Sequence, residues 1–324
     1  METTNLTQNS QSNKRTNIKS CIIESWKVFA LNTKHYFKYL WFHFLIAGIG
    51  YALFTAEASW FSIEYIQPVN SYVASGYDAS LAKALFSPSV TAYLTLALAF
   101  VAFVFANCIM YGAVFSQIRF YKATESLPVA GPFTFWREIK KDAAKTFVFD
   151  LIFIAITTVC LLVIGLIAKF TSWWVMLAAI PVFIYWLVIG ISGRLQYIVE
   201  NQPLKVAFRN AFATGHKKFG GYFIMLLLTS IPMLIITYAA LLPSKVIQLS
   251  YSADMVSRLI GDPSGIPPYV IPLYMAVATV GYFIYGFAYS LQQWPLALFT
   301  SAICPSAKQK AVETDAAVTV AKEA

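Results

Sequence analysis

Apolar residues in this chain fall into long unbroken runs separated by short basic or loop-like stretches. Six runs, at about 39–57, 90–114, 147–168, 172–193, 220–242 and 270–298, are long enough to cross a hydrocarbon core. Crossing ~30 Å takes roughly 20 apolar residues in a helix. The fifth run, read as GYFIMLLLTSIPMLIITYAALL, carries no charged residue at all. Lipid offers no partner for open backbone, so runs this long and uniform must satisfy their own N–H and C=O groups as helices. The pattern predicts an all-α polytopic membrane protein with six transmembrane helices in one domain over 19–304. Polar tails at 1–18 and 305–324 are expected to be disordered and cytoplasmic. Segments 58–89 and 243–269, which mix aromatic residues (Trp60, Phe61, Tyr65) with Pro and Gly, read as short interfacial helices in outer loops.

Charge adds orientation. Twenty of the 24 Lys and Arg residues lie in the N-terminal tail, the second-to-third and fourth-to-fifth connections, and the C-terminal tail. Only Lys83, Lys169, Lys245 and Arg258 lie on the other side. Such a bias places the basic side in the cytoplasm, with both termini there. A net charge of +9 would also suit nucleic acid, but this distribution reads as topology, and no nucleic-acid partner is expected. The polar first 20 residues lack the apolar region of a cleavable leader, so the first helix is expected to serve as the targeting signal. The sequon at Asn5 is then on the cytoplasmic side and without meaning.

The basic connections have a second property. Each odd-numbered run is preceded by a stretch of mixed apolar and cationic residues: IIESWKVFALNTKHYFK, FTFWREIKKDAAK and PLKVAFRNAFATGHKKF. In the third, Leu204, Phe208, Ala211 and Phe212 share one helical face, while Lys205, Arg209 and Lys217 lie off it. Asn201 suits an N-cap, with Pro203 in the first turn. These segments are expected to lie flat on the bilayer as three interfacial amphipathic helices, cations toward anionic lipid. The unit "interfacial helix, helix out, helix back" then occurs three times, a possible three-fold hairpin repeat.

Composition agrees with the pattern: 58% of residues are hydrophobic and 12% charged, against about 25% charged in an average soluble chain. It also narrows the chemistry. The four cysteines are isolated, and Cys108 and Cys160 fall inside apolar runs, where they act as small apolar side chains. The three histidines form no metal-binding pair, and no nucleophile elbow, phosphate loop or HExxH segment is present. Neither an enzyme nor a cofactor is expected.

Three sets of residues remain as candidates. Tyr274, Ala278, Tyr282, Tyr285, Tyr289 and Gln292 recur at helical spacing along the sixth run, with Phe283, Phe287, Leu291 and Trp294 opposite. Phenols are costly against lipid tails, so this stripe either lines a wet path or packs against neighbouring helices. Asn107, beside a face of small residues (Ala92, Thr95, Ala99, Ala102, Ala106, Ala113), suits an interhelical hydrogen bond or a polar pocket. Asp150, at the start of the third run, and Arg194, at the end of the fourth, meet if those runs form a tight antiparallel hairpin; a structural ion pair is the expectation and a proton relay the alternative. Pro181 and Pro232 fall mid-run and invite kinks.

The stretch PLKVAFRNAFATGHKKFGGYFIMLLLTSIPML, together with Ile22 to Phe29 leading into the first run, resembles the membrane domain attached to some glycerophosphodiester phosphodiesterases and its stand-alone bacterial relatives. The resemblance implies a protein of the bacterial cytoplasmic membrane. It does not bring the phosphodiesterase activity, whose catalytic domain has no counterpart here. The functional expectation is a non-enzymatic scaffold, accessory subunit or lipid-interacting module, with anionic lipids and another membrane protein as partners. The alternative is a carrier or channel for a small solute or lipid, with the sixth helix lining the path.

Overall fold

The computed structural model describes residues 18–128, 131–171, 174–259, 265, 267 and 269–303. The tails, the sequon and Cys304 lie outside the described residues. The chain is an all-α polytopic membrane protein. Helix α1 spans Ile18–Phe61 and passes through one turn of π-helix, Ser62–Ile66, into α2, Gln67–Ala74. Then follow α3 (Ala79–Leu85), α4 (Val90–Thr124), α5 (Trp136–Phe170), α6 (Trp174–Ile198), α7 (Leu204–Lys217), α8 (Phe219–Leu259) and α9 (Val270–Ile303). Six helices are long and apolar enough to cross a membrane, and together they carry all six runs.

Their surface is the inverse of a soluble globule's. Along α5, Leu151, Ile154, Val159, Leu162 and Leu166 are exposed, while Gln117, Asp142, Ser192, Gln196 and Ser290 are wholly buried. Apolar outside and polar inside is stable only where the surroundings are themselves hydrocarbon.

Several boundaries differ from the expectation. Segment 243–259 is no separate interfacial helix but a continuation of α8, with Pro243 inside it. Pro181 and Pro232 likewise lie inside continuous helices. The first outer segment does form short helices, α2 and α3. Asp78 starts α3, its carboxylate accepting from the Ser80 hydroxyl and from the Ser80 and Leu81 N–H groups. These hydrogen bonds hold it below the usual carboxylate range.

Of the three basic stretches, only α7 is a helix of its own. The first is the leading part of α1, set off by Asn32 (φ −124°, ψ 21°). The second runs without interruption into α5, because nothing between Trp136 and Phe170 breaks the ladder. Asn201 is not the cap of α7: Pro203 holds that position, with no side-chain bond. Asn201 instead adopts a left-handed conformation (φ 54°) that turns the chain after α6, and its amide oxygen accepts from Lys145. Asn tolerates this conformation better than most residues. The packed face of α7 is also not the expected one. Ala207, Ala211 and Gly215 are its buried residues, since small side chains let α7 approach α6 at Gly193 and Ile189. Phe208 stacks on Phe149 at 5.1 Å, whereas Phe212 is half exposed.

The described chain divides into two compact units. The first takes in the residues up to Tyr39, those of Tyr111–Ile231 and those from Ser290 on; the second is Leu40–Met110 with Pro232–Tyr289. In the first unit one local pattern recurs three times, in a different phase from the basic stretches. Asn32, Phe135 and Lys218 have nearly the same non-helical backbone (φ −124°, −108° and −122°; ψ 21°, 29° and 22°). Counted from each, the fourth residue onward (Tyr36, Ile139, Tyr222) is buried, and so is the seventh (Tyr39, Asp142, Met225). Each returning helix supplies a buried serine: Ser116, Ser192 or Ser290. Tyr36 donates to Ser290, Ser192 meets the Tyr222 hydroxyl at 3.2 Å, and Tyr39 meets Ser116 at 2.9 Å. Ile139 has no hydroxyl, so Tyr39, one turn beyond Tyr36, takes the third bond. The basic stretch FTFWREIKKDAAK therefore lies mostly after its break, whereas the other two lie mostly before theirs.

Candidate functional site

In the second unit, the tyrosine stripe of α9 is packed rather than open. Tyr274, Ala278, Tyr282 and Tyr289 are buried. Tyr282 donates to Asn107 Oδ1 at 2.6 Å, and Asn107 passes its own N–H to the Phe103 carbonyl at 2.9 Å. The Tyr282 ring stacks on Tyr51 at 4.3 Å and 10°, beside Phe103 at 5.9 Å and Tyr285 at 4.6 Å; Tyr285 and Tyr289 continue the row at 6.1 Å. Asn107 thus makes the expected interhelical bond. Gln292, the last member of the stripe, belongs to the first unit, where its amide donates to Ser230 at 2.6 Å.

The face opposite the stripe is packed as well. Phe283 and Phe287 lie 6.2 and 4.7 Å from Phe44, Gly286 lets that ring approach, and Trp294 is 3% exposed. The aromatic rings of α9 are thus interlocked on both sides. The small-residue face of α4 is used only in part. Ala106 meets Gly50, where an added Cβ would sit 2.9 Å away, and Ala113 is buried, but Thr95 and Ala102 are exposed.

In the first unit, α5 and α6 form the expected hairpin. Trp186 donates to the Thr157 hydroxyl at 2.8 Å, its ring lies parallel to Phe153 at 5.0 Å, and Gly190 leaves room for that ring. Asp150 and Arg194 then meet at 3.0 Å. The guanidinium also lies over Tyr111 and Phe115, with centroids at 4.6 and 5.3 Å. Arg194 therefore has both a counter-ion and two π faces.

Three further ion pairs have no counterpart in the sequence reading. Arg119 binds Asp142 at 2.8 Å and Glu138 at 2.7 Å, and Asp142 is wholly buried. Lys122 binds Glu200, which also accepts from Ser301 at 2.6 Å. The available signal was a carboxylate embedded in each basic connection. It reads as topology until the fold brings it against an arginine or lysine of another helix.

One cavity in the second unit stands against the stripe's far end. It holds about 210 Å³ and is lined by Glu57, Trp60, Gln248, Tyr251, Tyr274 and Met275 with their apolar neighbours. Glu57 closes the first apolar run as Asp150 opens the third, yet only Asp150 drew attention in sequence. Among the described residues, no three His, Cys, Asp or Glu side chains come together as a metal site. Comparison of the chain with protein-family models, with curated proteins and with solved structures finds no match.

Proposed function

We propose that the protein is a non-enzymatic integral component of a bacterial cytoplasmic membrane, a scaffold or lipid-interacting module with both termini inside. The observation that carries this reading is the packing of the α9 stripe. Tyr282 is spent on Asn107 and Gln292 on Ser230, the Tyr282 ring stacks on Tyr51, and Tyr285 and Tyr289 pack beside it in a row. A solute path needs polar groups facing water, whereas a rigid support needs them facing each other. The resemblance to stand-alone relatives of the phosphodiesterase membrane domain fits the same reading, as does the twenty-to-four cation bias. Cations of the basic stretches, each worth ~1 kcal/mol near anionic lipid, supply the lipid contact.

The test is access of water to the stripe. Cysteines placed at Tyr285 and Tyr289, in a background with the native cysteines changed to alanine, are treated in intact membranes with a water-soluble maleimide. The packed reading expects no labelling until SDS is added. Rapid labelling of both positions would overturn it in favour of a carrier or channel. Copurification in mild detergent, with mass spectrometry of bound proteins and lipids, then identifies the partners.

A further inference from the structure

The cavity beside Tyr274 is built differently from the packed stripe. Its walls are apolar and aromatic, with Trp60 and Tyr251 facing one another at 6.4 Å and 27°. Glu57 is the one charged residue among the described lining side chains. Two of the other polar side chains there, Gln248 and Ser59, are bonded to each other. Gln248 donates to Ser59 at 2.5 Å and accepts from Lys245 at 3.0 Å.

A single carboxylate among π faces selects its ligand by exclusion. An anionic lipid headgroup would meet the Glu57 charge with no cation among the described lining residues to offset it. A hard metal ion would find one carboxylate where it needs six or more oxygen ligands. An organic ammonium gains the Coulomb attraction of Glu57, and the ring quadrupoles attract a positive centre within ~6 Å of a centroid. Its apolar body is accommodated by Met275 and the aliphatic neighbours. At about 210 Å³ the space is below the ~300–1,000 Å³ of drug-sized sites, so the ligand is small. We propose that this cavity binds a small hydrophobic ammonium cation, with Glu57 as counter-ion and Trp60, Tyr251 and Tyr274 as the aromatic enclosure.

The site stands apart from the scaffold reading, because its residues take no part in the labelled positions of the stripe. The test uses the full-length protein in nanodiscs of phosphatidylglycerol with radiolabelled benzyltrimethylammonium. Saturable binding is expected, displaced by unlabelled probe and not by neopentylbenzene, its uncharged isostere. Glu57→Gln is expected to weaken binding at least tenfold with thermal stability unchanged, Glu57→Asp to retain most of it, and Trp60→Ala to weaken it independently. Repeating the titration with phosphatidylethanolamine in the nanodisc identifies the source of the ammonium. A lowered apparent affinity means that the lipid amine occupies the site, and an unchanged one means a free solute. Absence of saturable binding to the native protein, equal competition by the uncharged isostere, or native affinity in a stably folded Glu57→Gln variant would each overturn the proposal.

Discussion

Asp142 has no exposed surface and Arg119 is 24% exposed, so the two should respond unequally to removal. Arg119→Met deletes the cation and leaves a carboxylate enclosed in protein. Breaking a buried pair from one side costs ~3–5 kcal/mol, most of it the stranded charge. The carboxylate limits the loss by taking up a proton, so the lower end of that range is expected. Asp142→Asn is milder. The amide oxygen still accepts from Arg119, and the guanidinium keeps Glu138 at 2.7 Å, so the loss is that of one charge-assisted hydrogen bond, ~1.5–3 kcal/mol. The contact with Glu138, itself 46% exposed, adds ~0–1 kcal/mol by comparison with surface pairs. The double variant Arg119→Met/Asp142→Asn removes both charges and should lie closer to Asp142→Asn than to Arg119→Met. Reversible unfolding in mixed micelles of increasing SDS content measures all four proteins, and the cycle gives the coupling directly. Two single losses each under ~0.5 kcal/mol, the range of surface substitutions, would refute the reasoning by showing that the pair is wet and weak.

Asp150→Asn should lower thermal stability in detergent. Exchanging the charges of Asp150 and Arg194 should restore only part of it, because an arginine at 150 does not regain the Tyr111 and Phe115 faces that add ~0.5–1 kcal/mol or more. Tyr282→Phe leaves the buried Asn107 oxygen without its donor and should cost ~1–3 kcal/mol by SDS unfolding. Gly48→Ala and Gly112→Ala place a Cβ 2.5 and 2.7 Å from backbone of a facing helix and should each lower the melting temperature. Gly165→Ala meets nothing within 4 Å and should be neutral or mildly stabilising, since alanine is the better helix former. Reporter fusions after residues 130, 210 and 310 should all report cytoplasm; a periplasmic signal at any of them would overturn the orientation.

The sequence by itself determined the fold class and the positions of the spans, because a hydrocarbon solvent imposes a length and a composition on each helix regardless of its neighbours. It also determined the partnership of Asp150 with Arg194, since a very short connection between two apolar runs leaves an antiparallel hairpin as the way to close. Where helices begin and break was less legible. Phe135, Asn32 and Lys218 share a backbone conformation but no residue type, so the phase of the recurring pattern is written in dihedral angles and buried positions rather than in letters. Composition marked the three basic stretches as alike, although one of them lies on the other side of its break. Tertiary structure alone decided which charges are internal. Asp142 and Glu200 look like solvated members of basic connections, and only the approach of α4 to α5, closed by Gly112 against the Ile139 and Ala143 backbone, brings Arg119 onto Asp142. Tertiary structure also divided the tyrosine stripe. Periodicity gives Tyr274 and Tyr282 the same face, but the neighbours that close around Tyr282 are Asn107 and Tyr51, while those around Tyr274 leave a cavity with Glu57 on its wall. A helix repeats its faces every few residues; what stands against each face is fixed by elements far away in sequence.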